Sequence, residues 1–176
     1  MTIKFNYNDK FIENSFNSLI QQKFNQNILI DEKPLFIVNV IKNINSKIKI
    51  ECLNFDSKIL SIPIHFYSFS KEIESFCNLF FFDYNILKFY PFLNKITNDH
   101  EQLLLNDIHN KILINLISNK DVGINKFDLY KFLWSRDADI SINKLDTHLT
   151  NLKNLIFEKF EIHLKFKSIK NLLYLD

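Results

Sequence analysis

The stretch LWSRDADISINKLDTHLTNLKNLI, residues 133–156, places a Leu-Trp end, a short polar spacer and a second apolar segment in succession. Apolar residues recur in the second segment at helical spacing, which predicts a helix over 142–157 with one buried stripe. The stripe consists of Leu145, Leu149, Leu152 and Ile156. Ser141 precedes this helix and is a residue type that caps helices.

The opposite side of this helix is polar and almost free of acid. It presents Lys144, Thr147, His148, Asn151 and Asn154. A helix that reads the DNA major groove needs donors and acceptors at this spacing. Lysines near it would contact phosphates, namely Lys153, Lys165, Lys167 and Lys170. A merely solvated helix face has the same composition, so that interpretation stays open.

The segments around this helix complete a recognisable layout. A hairpin is expected at 79–92, followed by a helix that starts at Asn106 or Asp107. A second helix, KFDLYKFLW, would be capped by Asn125 after a break at Gly123, the single Gly. The C-terminal residues EIHLKFKS and NLLYL read as two strands. Three helices followed by a hairpin predict an α+β winged helix-turn-helix domain over 78–176.

This part of the chain resembles the C-terminal effector domain of OmpR/PhoB-type response regulators. The family's helix end, recognition helix and wing motifs are matched at Leu133, Trp134, Leu145, Asp146, His148, Leu149, Leu152, Lys153, Tyr174 and Leu175. The opening helix is similar as well, with Asn106 in the family's Thr place and His109 in its Glu place. The sequence departs from the family in two respects. The recognition helix lacks arginines, and the wing lacks glycines.

The N-terminal residues predict a strand-rich unit. Expected strands are IKFNY (3–7), ILI (28–30), LFIVNVI (35–41), KIKIECLNF (47–55) and ILSIPIHF (59–66). Expected helices are 9–24, capped by Asp9, and 68–77. The continuous apolar run at 35–41 is typical of a strand buried on both faces.

This N-terminal part resembles a receiver domain from which crossover helices are missing. IPIHFYSFSKEI (62–73) is similar to the receiver's last strand end and helix. Asn39 stands where a phosphoacceptor Asp is expected, and Ile62 stands in the place of the Lys before Pro. The resemblance therefore implies an α/β, reduced receiver-like domain over 1–77 that is not phosphorylated. Its uncovered apolar faces would favour a homodimer through this domain, or docking of this domain on the C-terminal one.

Composition excludes several classes of function. One Gly makes a phosphate-cradling loop untenable, and no nucleophile–base pair stands out, so we expect no enzyme and no cofactor. Cys52, Cys77 and the five His show no metal-site spacing, so no metal is expected either. Two cysteines and the lack of a signal core or an apolar run of about 18 residues indicate a cytoplasmic protein without a membrane partner.

The charge is small but unevenly placed. Residues 1–119 hold 12 Lys and 12 acids, whereas residues 120–176 hold 10 Lys or Arg and 8 acids, so the whole net charge of +2 lies in residues 120–176.

Two hypotheses follow from the sequence. The first is a sequence-specific transcriptional regulator that binds double-stranded DNA without needing phosphorylation. Its expected DNA contacts are Lys144, Thr147, His148, Thr150, Asn151, Lys153, Asn154, Lys165, Lys167 and Lys170. The alternative is a protein-interaction module that kept the winged-helix fold, lost DNA binding, and contacts RNA polymerase or another regulator.

Overall fold

The computed structural model describes residues 3–24, 29–30, 34–43, 47–134 and 142–176. Internal contacts divide the chain into two units. Unit 1 comprises Met1–Asn27 and Asp31–Leu79, and unit 2 comprises Ile28–Ile30 and Phe80–Asp176. The boundaries expected from the sequence, 1–77 and 78–176, stay a prediction.

Unit 1 contains one mixed sheet and two helices. Its elements are β1 (Ile3–Tyr7), α1 (Lys10–Phe24), β2 (Phe36–Asn43), β3 (Lys47–Cys52), β4 (Lys58–Ser61) and α2 (Phe66–Leu79). The strands lie in the order β1-β2-β3-β4. β1 and β2 are parallel and β2-β3 and β3-β4 are antiparallel. Parallel neighbours need a long crossover, which α1 supplies.

The sheet of unit 1 buries one face. Along β2, Val38 and Val40 are buried while Ile37 between them is 41% exposed. The prediction of a strand buried on both faces is therefore wrong, because the continuous apolar run alternates between core and solvent in the fold. The predicted cap of α1 is confirmed, since Asp9 Oδ1 accepts a hydrogen bond from the Ile12 amide at 3.0 Å.

The strand directions correct the receiver-like interpretation. A receiver sheet is doubly wound and parallel. Here the short connections after β2 and β3 make hairpins, which force antiparallel pairing. Asn39 lies within β2, and its side-chain oxygen accepts a hydrogen bond from Asn6 Nδ2 at 3.0 Å. The expected reduced receiver-like sheet is thus wrong in its topology, and unit 1 is α+β.

Unit 2 begins with a four-stranded antiparallel sheet. Its strands, in both chain order and sheet order, are β5 (Phe82–Tyr84), β6 (Leu87–Tyr90), β7 (Lys95–Thr97) and β8 (Gln102–Leu104). Asn85, with φ of 54°, turns the chain between β5 and β6, which confirms the predicted hairpin. Leu87, Phe89 and Ile96 are buried and form the inner face of this sheet.

Three helices pack together after the sheet: α3 (Asp107–Ser118), α4 (Lys126–Leu133) and α5 (Ile142–Phe160). Two predicted caps are confirmed. Asn106 Oδ1 accepts a hydrogen bond from the His109 amide at 2.8 Å. Asn125 Oδ1 accepts one from the Phe127 amide at 2.8 Å. These side chains satisfy amides that the first helical turn leaves without partners. The predicted cap at Ser141 lies outside the described residues.

A small sheet closes unit 2. The hairpin of β10 (Phe166–Ile169) and β11 (Leu172–Leu175) pairs with β9 (Ile124–Asn125), in the order β10-β11-β9. Lys170 and Asn171, at φ of 48° and 66°, form its two-residue turn. Positive φ at both positions is the type I′ geometry that suits strand twist. The order of sheet, three helices and hairpin is the winged helix-turn-helix layout predicted from the sequence.

A buried amide holds Ile30 to α3 within unit 2. Asn115 on α3 is fully buried, and its Oδ1 accepts a hydrogen bond from the Ile30 amide at 2.7 Å. Leu29 is buried beside it. Neither Leu29 nor Ile30 belongs to a strand, so the strand predicted at 28–30 is wrong for these two residues. The Ile30 amide is satisfied by a side chain instead of by a neighbouring strand.

Candidate nucleic-acid interface

Helix α5 is fixed in unit 2 by the predicted apolar stripe. Leu145, Leu152 and Ile156 are fully buried, and Leu149 is 6% exposed. These residues pack α5 against α3 and α4. Burying one stripe of a helix leaves its opposite side facing outward.

The outward side of α5 carries short uncharged polar groups. Thr147, Thr150, Asn151 and Asn154 are all exposed, as the sequence predicts, and Asn143 joins them. The threonine hydroxyls donate to the helix backbone, Thr147 to the Asn143 carbonyl at 2.8 Å and Thr150 to the Asp146 carbonyl at 2.9 Å. Within the described residues, no hydrogen bond engages the side-chain amides of Asn151 or Asn154. These amides are available to a ligand.

Two lysines stand on opposite flanks of this polar side. Lys144 and Lys153 are nine residues apart, which is about two and a half helical turns. Lys144 Nζ lies 4.6 Å from the centroid of the Trp134 indole, and Lys153 Nζ lies 5.1 Å from that of the Phe166 ring. Such cation–π contacts fix the direction of a flexible side chain. The polar side therefore has a positive charge on each flank.

The acid nearest the polar side is paired. Asp146 Oδ1 accepts a hydrogen bond from Lys126 Nζ at 3.0 Å, across from α5 to the start of α4. Lys126 is the less exposed partner, with a side chain 20% exposed. The pair offsets a negative charge that would otherwise repel phosphates beside the helix.

The structure corrects the predicted position of His148. It is half-buried on the flank of α5, where its Nδ1 lies 3.4 Å from His109 Nε2 and its ring lies 5.4 Å from the Trp134 ring. Burial lowers the pKa of His148, and the Lys144 cation lowers it further. Burial and the neighbouring His148 likewise lower the pKa of His109. His148 is thus part of the helix packing and does not lie on the outward side.

The wing presents the remaining predicted cations. Lys165, Lys167 and Lys170 are exposed, the last in the turn of the hairpin. Lys167 and Phe166 point to opposite faces of β10 by strand alternation, so the ring that contacts Lys153 faces the helix. Tyr84 OH donates a hydrogen bond to the Asp176 carbonyl at 2.6 Å, which fixes Asp176 to the four-stranded sheet of unit 2.

The close contact between Gly123 and the wing explains why a Gly stands before β9. Its φ is 73°, and a Cβ added there would lie 2.6 Å from two carbons of the Tyr174 ring. A residue with a side chain would meet both strained backbone and a steric clash. Gly123 therefore allows β9 to reach β11.

Sequence reasoning missed Asn143 and Lys126 as parts of this surface. Asn143 carries a signal that sequence alone gives, since it lies four residues before Thr147 on the same helical side. Lys126 had no local signal, because its partner Asp146 is 20 residues away on another helix.

No group of three or more His, Cys, Asp or Glu among the described residues is arranged to hold a metal ion. None of the helices in the described part of the chain has the length and apolarity to span a membrane.

Comparison with protein-family models gave no match, and comparison with curated proteins gave none. Among solved structures, the chain is similar to the DNA-binding domain of E. coli CadC, with 15% identity and a TM-score of 0.45. The likeness covers 52% of this chain and 86% of that one.

Proposed function

We propose that the chain is a transcriptional regulator that binds double-stranded DNA sequence-specifically, with α5 in the major groove and the wing on the phosphate backbone. The observation that carries the proposal is the outward side of α5, where exposed Asn and Thr side chains lie between Lys144 and Lys153. A major groove admits a helix and offers donors and acceptors to it, while phosphates line both of its edges. Uncharged side chains that contact base edges, with a cation for the phosphates on each flank, fit that arrangement.

The proposal divides the site residues by role. Thr147, Thr150, Asn151 and Asn154 would meet base edges, because they are exposed on one side of the helix. Lys144, Lys153, Lys165, Lys167 and Lys170 would meet phosphates. His148 would support DNA binding indirectly, by holding α5 in place, because its ring faces His109 and Trp134.

Regulation would not need phosphorylation. Unit 1 has a mixed sheet in place of the parallel sheet of a receiver, and Asn39 in β2 is an amide, bonded to Asn6, where a phosphoacceptor would need a carboxylate. A second copy of the chain, bound through unit 1, would add affinity, since one helix and one wing with few cations bind a single half-site weakly. RNA polymerase is a further proposed partner.

The test is fluorescence-anisotropy binding of the chain to duplex DNA at roughly 50 and 200 mM salt. We expect binding that weakens steeply with salt, and weaker binding for Lys153→Ala and Asn151→Ala. Lys88→Ala and Asn78→Ala are matched controls, because both residues are exposed and lie on other elements, β6 and α2. Equal affinity of all five proteins would contradict the proposal.

A protein-interaction module is the second candidate. Phe157 is 43% exposed and Leu155 is 36% exposed near the end of α5, and Ile169 in the wing is 47% exposed. Exposed aromatic and aliphatic side chains of this kind favour protein contacts. Recovery of a stoichiometric protein partner that Phe157→Ser abolishes, with no affinity for duplex DNA, would support this candidate over the first.

A further inference from the structure

We propose that the outward side of α5 selects A·T base pairs in the major groove. This inference rests on the proposed function and adds to it the class of DNA sequence that the site recognises. It depends on which polar groups of α5 remain available and on where the cations are held.

The asparagines supply the adenine contacts. An Asn amide has one donor and one acceptor side by side, which matches N7 and N6 of adenine in a bidentate contact. Asn151 and Asn154 are exposed and three residues apart, so they are neighbours on one side of the helix. Since no hydrogen bond within the described residues occupies either amide, both can make that contact without breaking another.

The threonines supply the thymine contacts. The hydroxyl hydrogens of Thr147 and Thr150 are donated to backbone carbonyls one turn earlier, at 2.8 and 2.9 Å. What each threonine still offers is its methyl group and the lone pairs of its oxygen. Thymine is the base with a methyl group in the major groove, and threonine methyls pack against it. Thr147 and Asn151 are four residues apart, so a methyl and an amide stand side by side.

Guanine contacts are disfavoured by where the cations are held. Bidentate reading of guanine O6 and N7 is done by Arg or Lys on the reading side of a helix. Lys144 and Lys153 are directed instead to Trp134 and Phe166 on the two flanks. A cation held over a ring beside the helix is placed for a phosphate more readily than for a base edge.

Asp146 and Glu158 are the exposed acids of α5, and a carboxylate can accept a hydrogen bond from cytosine N4. Asp146 Oδ1 already accepts a hydrogen bond from Lys126 Nζ. Glu158 is the acid further along the helix. It lies eleven residues after Thr147, which is about 16 Å along the helix axis. In helix-turn-helix proteins the N-terminal residues of the recognition helix contact base edges. Glu158 is therefore beyond the reading part of α5, and Glu158→Gln should leave the base preference unchanged.

The test compares three duplexes of equal length in the anisotropy assay. One contains mixed A·T pairs without A-tracts, one contains G·C pairs in the same positions, and one contains inosine·C pairs there. Inosine·C presents the major-groove edge of G·C but lacks the minor-groove amino group, as A·T does. We expect the A·T duplex to bind about tenfold or more tightly than the other two, from two bidentate contacts.

Substitutions identify the side chains that cause the A·T preference. Asn151→Ala with Asn154→Ala should lower the A·T to G·C affinity ratio strongly while salt-sensitive binding persists. Thr147→Ser removes the methyl and should lower the ratio, whereas Thr147→Val keeps a methyl and should preserve it. All three sites are exposed, so circular dichroism and urea midpoints should match those of the unmodified chain.

Three outcomes would overturn the inference and are distinguishable. Equal, salt-sensitive binding of all three duplexes, or tighter binding of G·C, would contradict A·T selection and leave DNA binding intact. Inosine·C behaving like A·T would place the readout in the minor groove and contradict the role of α5. No binding to any duplex would overturn both the inference and the proposed function.

Discussion

His109 Nε2 and His148 Nδ1 lie 3.4 Å apart and join α3 to α5. His109 Nδ1 also lies 3.2 Å from Asn106 Nδ2, while Asn106 Oδ1 caps α3. Because the amide oxygen is used by the cap, its NH₂ group faces the ring, so Nδ1 of His109 accepts and Nε2 donates to His148. A proton added at the accepting nitrogen of either ring would face another N–H group.

This pair predicts loss of stability in acid. Both histidines have pKa values below their ordinary value near 6.5, so the unfolded chain binds more protons than the folded one. Stability is therefore complete above the ordinary His range and declines as pH falls through it. Urea unfolding at pH of about 7.5 and about 5.5 measures this decline. His148→Gln should reduce the decline, and His100→Gln, at an exposed site, should not. The same decline in stability between these two pH values in all three proteins would contradict this explanation.

Gly123→Ala should destabilise unit 2 by more than about 1 kcal/mol, since Ala is disfavoured at positive φ. The new Cβ would also lie 2.6 Å from the Tyr174 ring. Urea unfolding of the single variants and of Gly123→Ala with Tyr174→Ala separates the two causes. The cost of Gly123→Ala should be smaller when the ring is absent. An equal cost in both backgrounds would show that the clash contributes nothing.

Leu152→Ala should lower stability, whereas Asn151→Ala should lower DNA affinity. Leu152 is fully buried, so its truncation should cost about 2–5 kcal/mol. Asn151 is exposed, so its truncation should change stability by less than about 0.5 kcal/mol while lowering DNA affinity. Urea unfolding and anisotropy on the same samples measure both quantities. A large stability loss in Asn151→Ala would mean that its amide supports the fold.

Asp146→Asn should strengthen DNA binding at low salt. The substitution removes an acid beside the proposed reading side and releases Lys126 from its partner. The Asp146 side chain is 51% exposed, so the ion pair should contribute about 1 kcal/mol or less to stability. The affinity gain should shrink as salt is raised, because screening weakens exposed charges. A gain that is independent of salt would contradict this electrostatic explanation.

The elements that sequence predicted well are those that depend on local chemistry. Caps at Asp9, Asn106 and Asn125 satisfy amides two or three residues away, so a short window contains the whole signal. The apolar stripe of α5 was equally clear, because its spacing matches one helical side. These two kinds of signal were sufficient for the helices of unit 2 and for the outward position of Asn151 and Asn154.

The elements that sequence missed depend on distant partners. β9 is two residues long and exists through its pairing with β11, nearly 50 residues later, so nothing within it marks a strand. The antiparallel pairing of β2 and β3 is set by a short connection, not by the apolar run that resembles a parallel strand. His148 was predicted on the outward side, but it lies beside the buried stripe of α5, where its ring meets that of His109 on α3.

The most direct test of the central claim is amide chemical-shift mapping of the chain during titration with the A·T duplex. We expect the largest changes at the side-chain NH₂ signals of Asn151 and Asn154, at the backbone of α5, and in the turn at Lys170. Signals of the four-stranded sheet, such as those of Lys88 and Ile96, should stay in place. Changes confined to that sheet or to unit 1, with none on α5, would contradict the claim that this helix binds DNA.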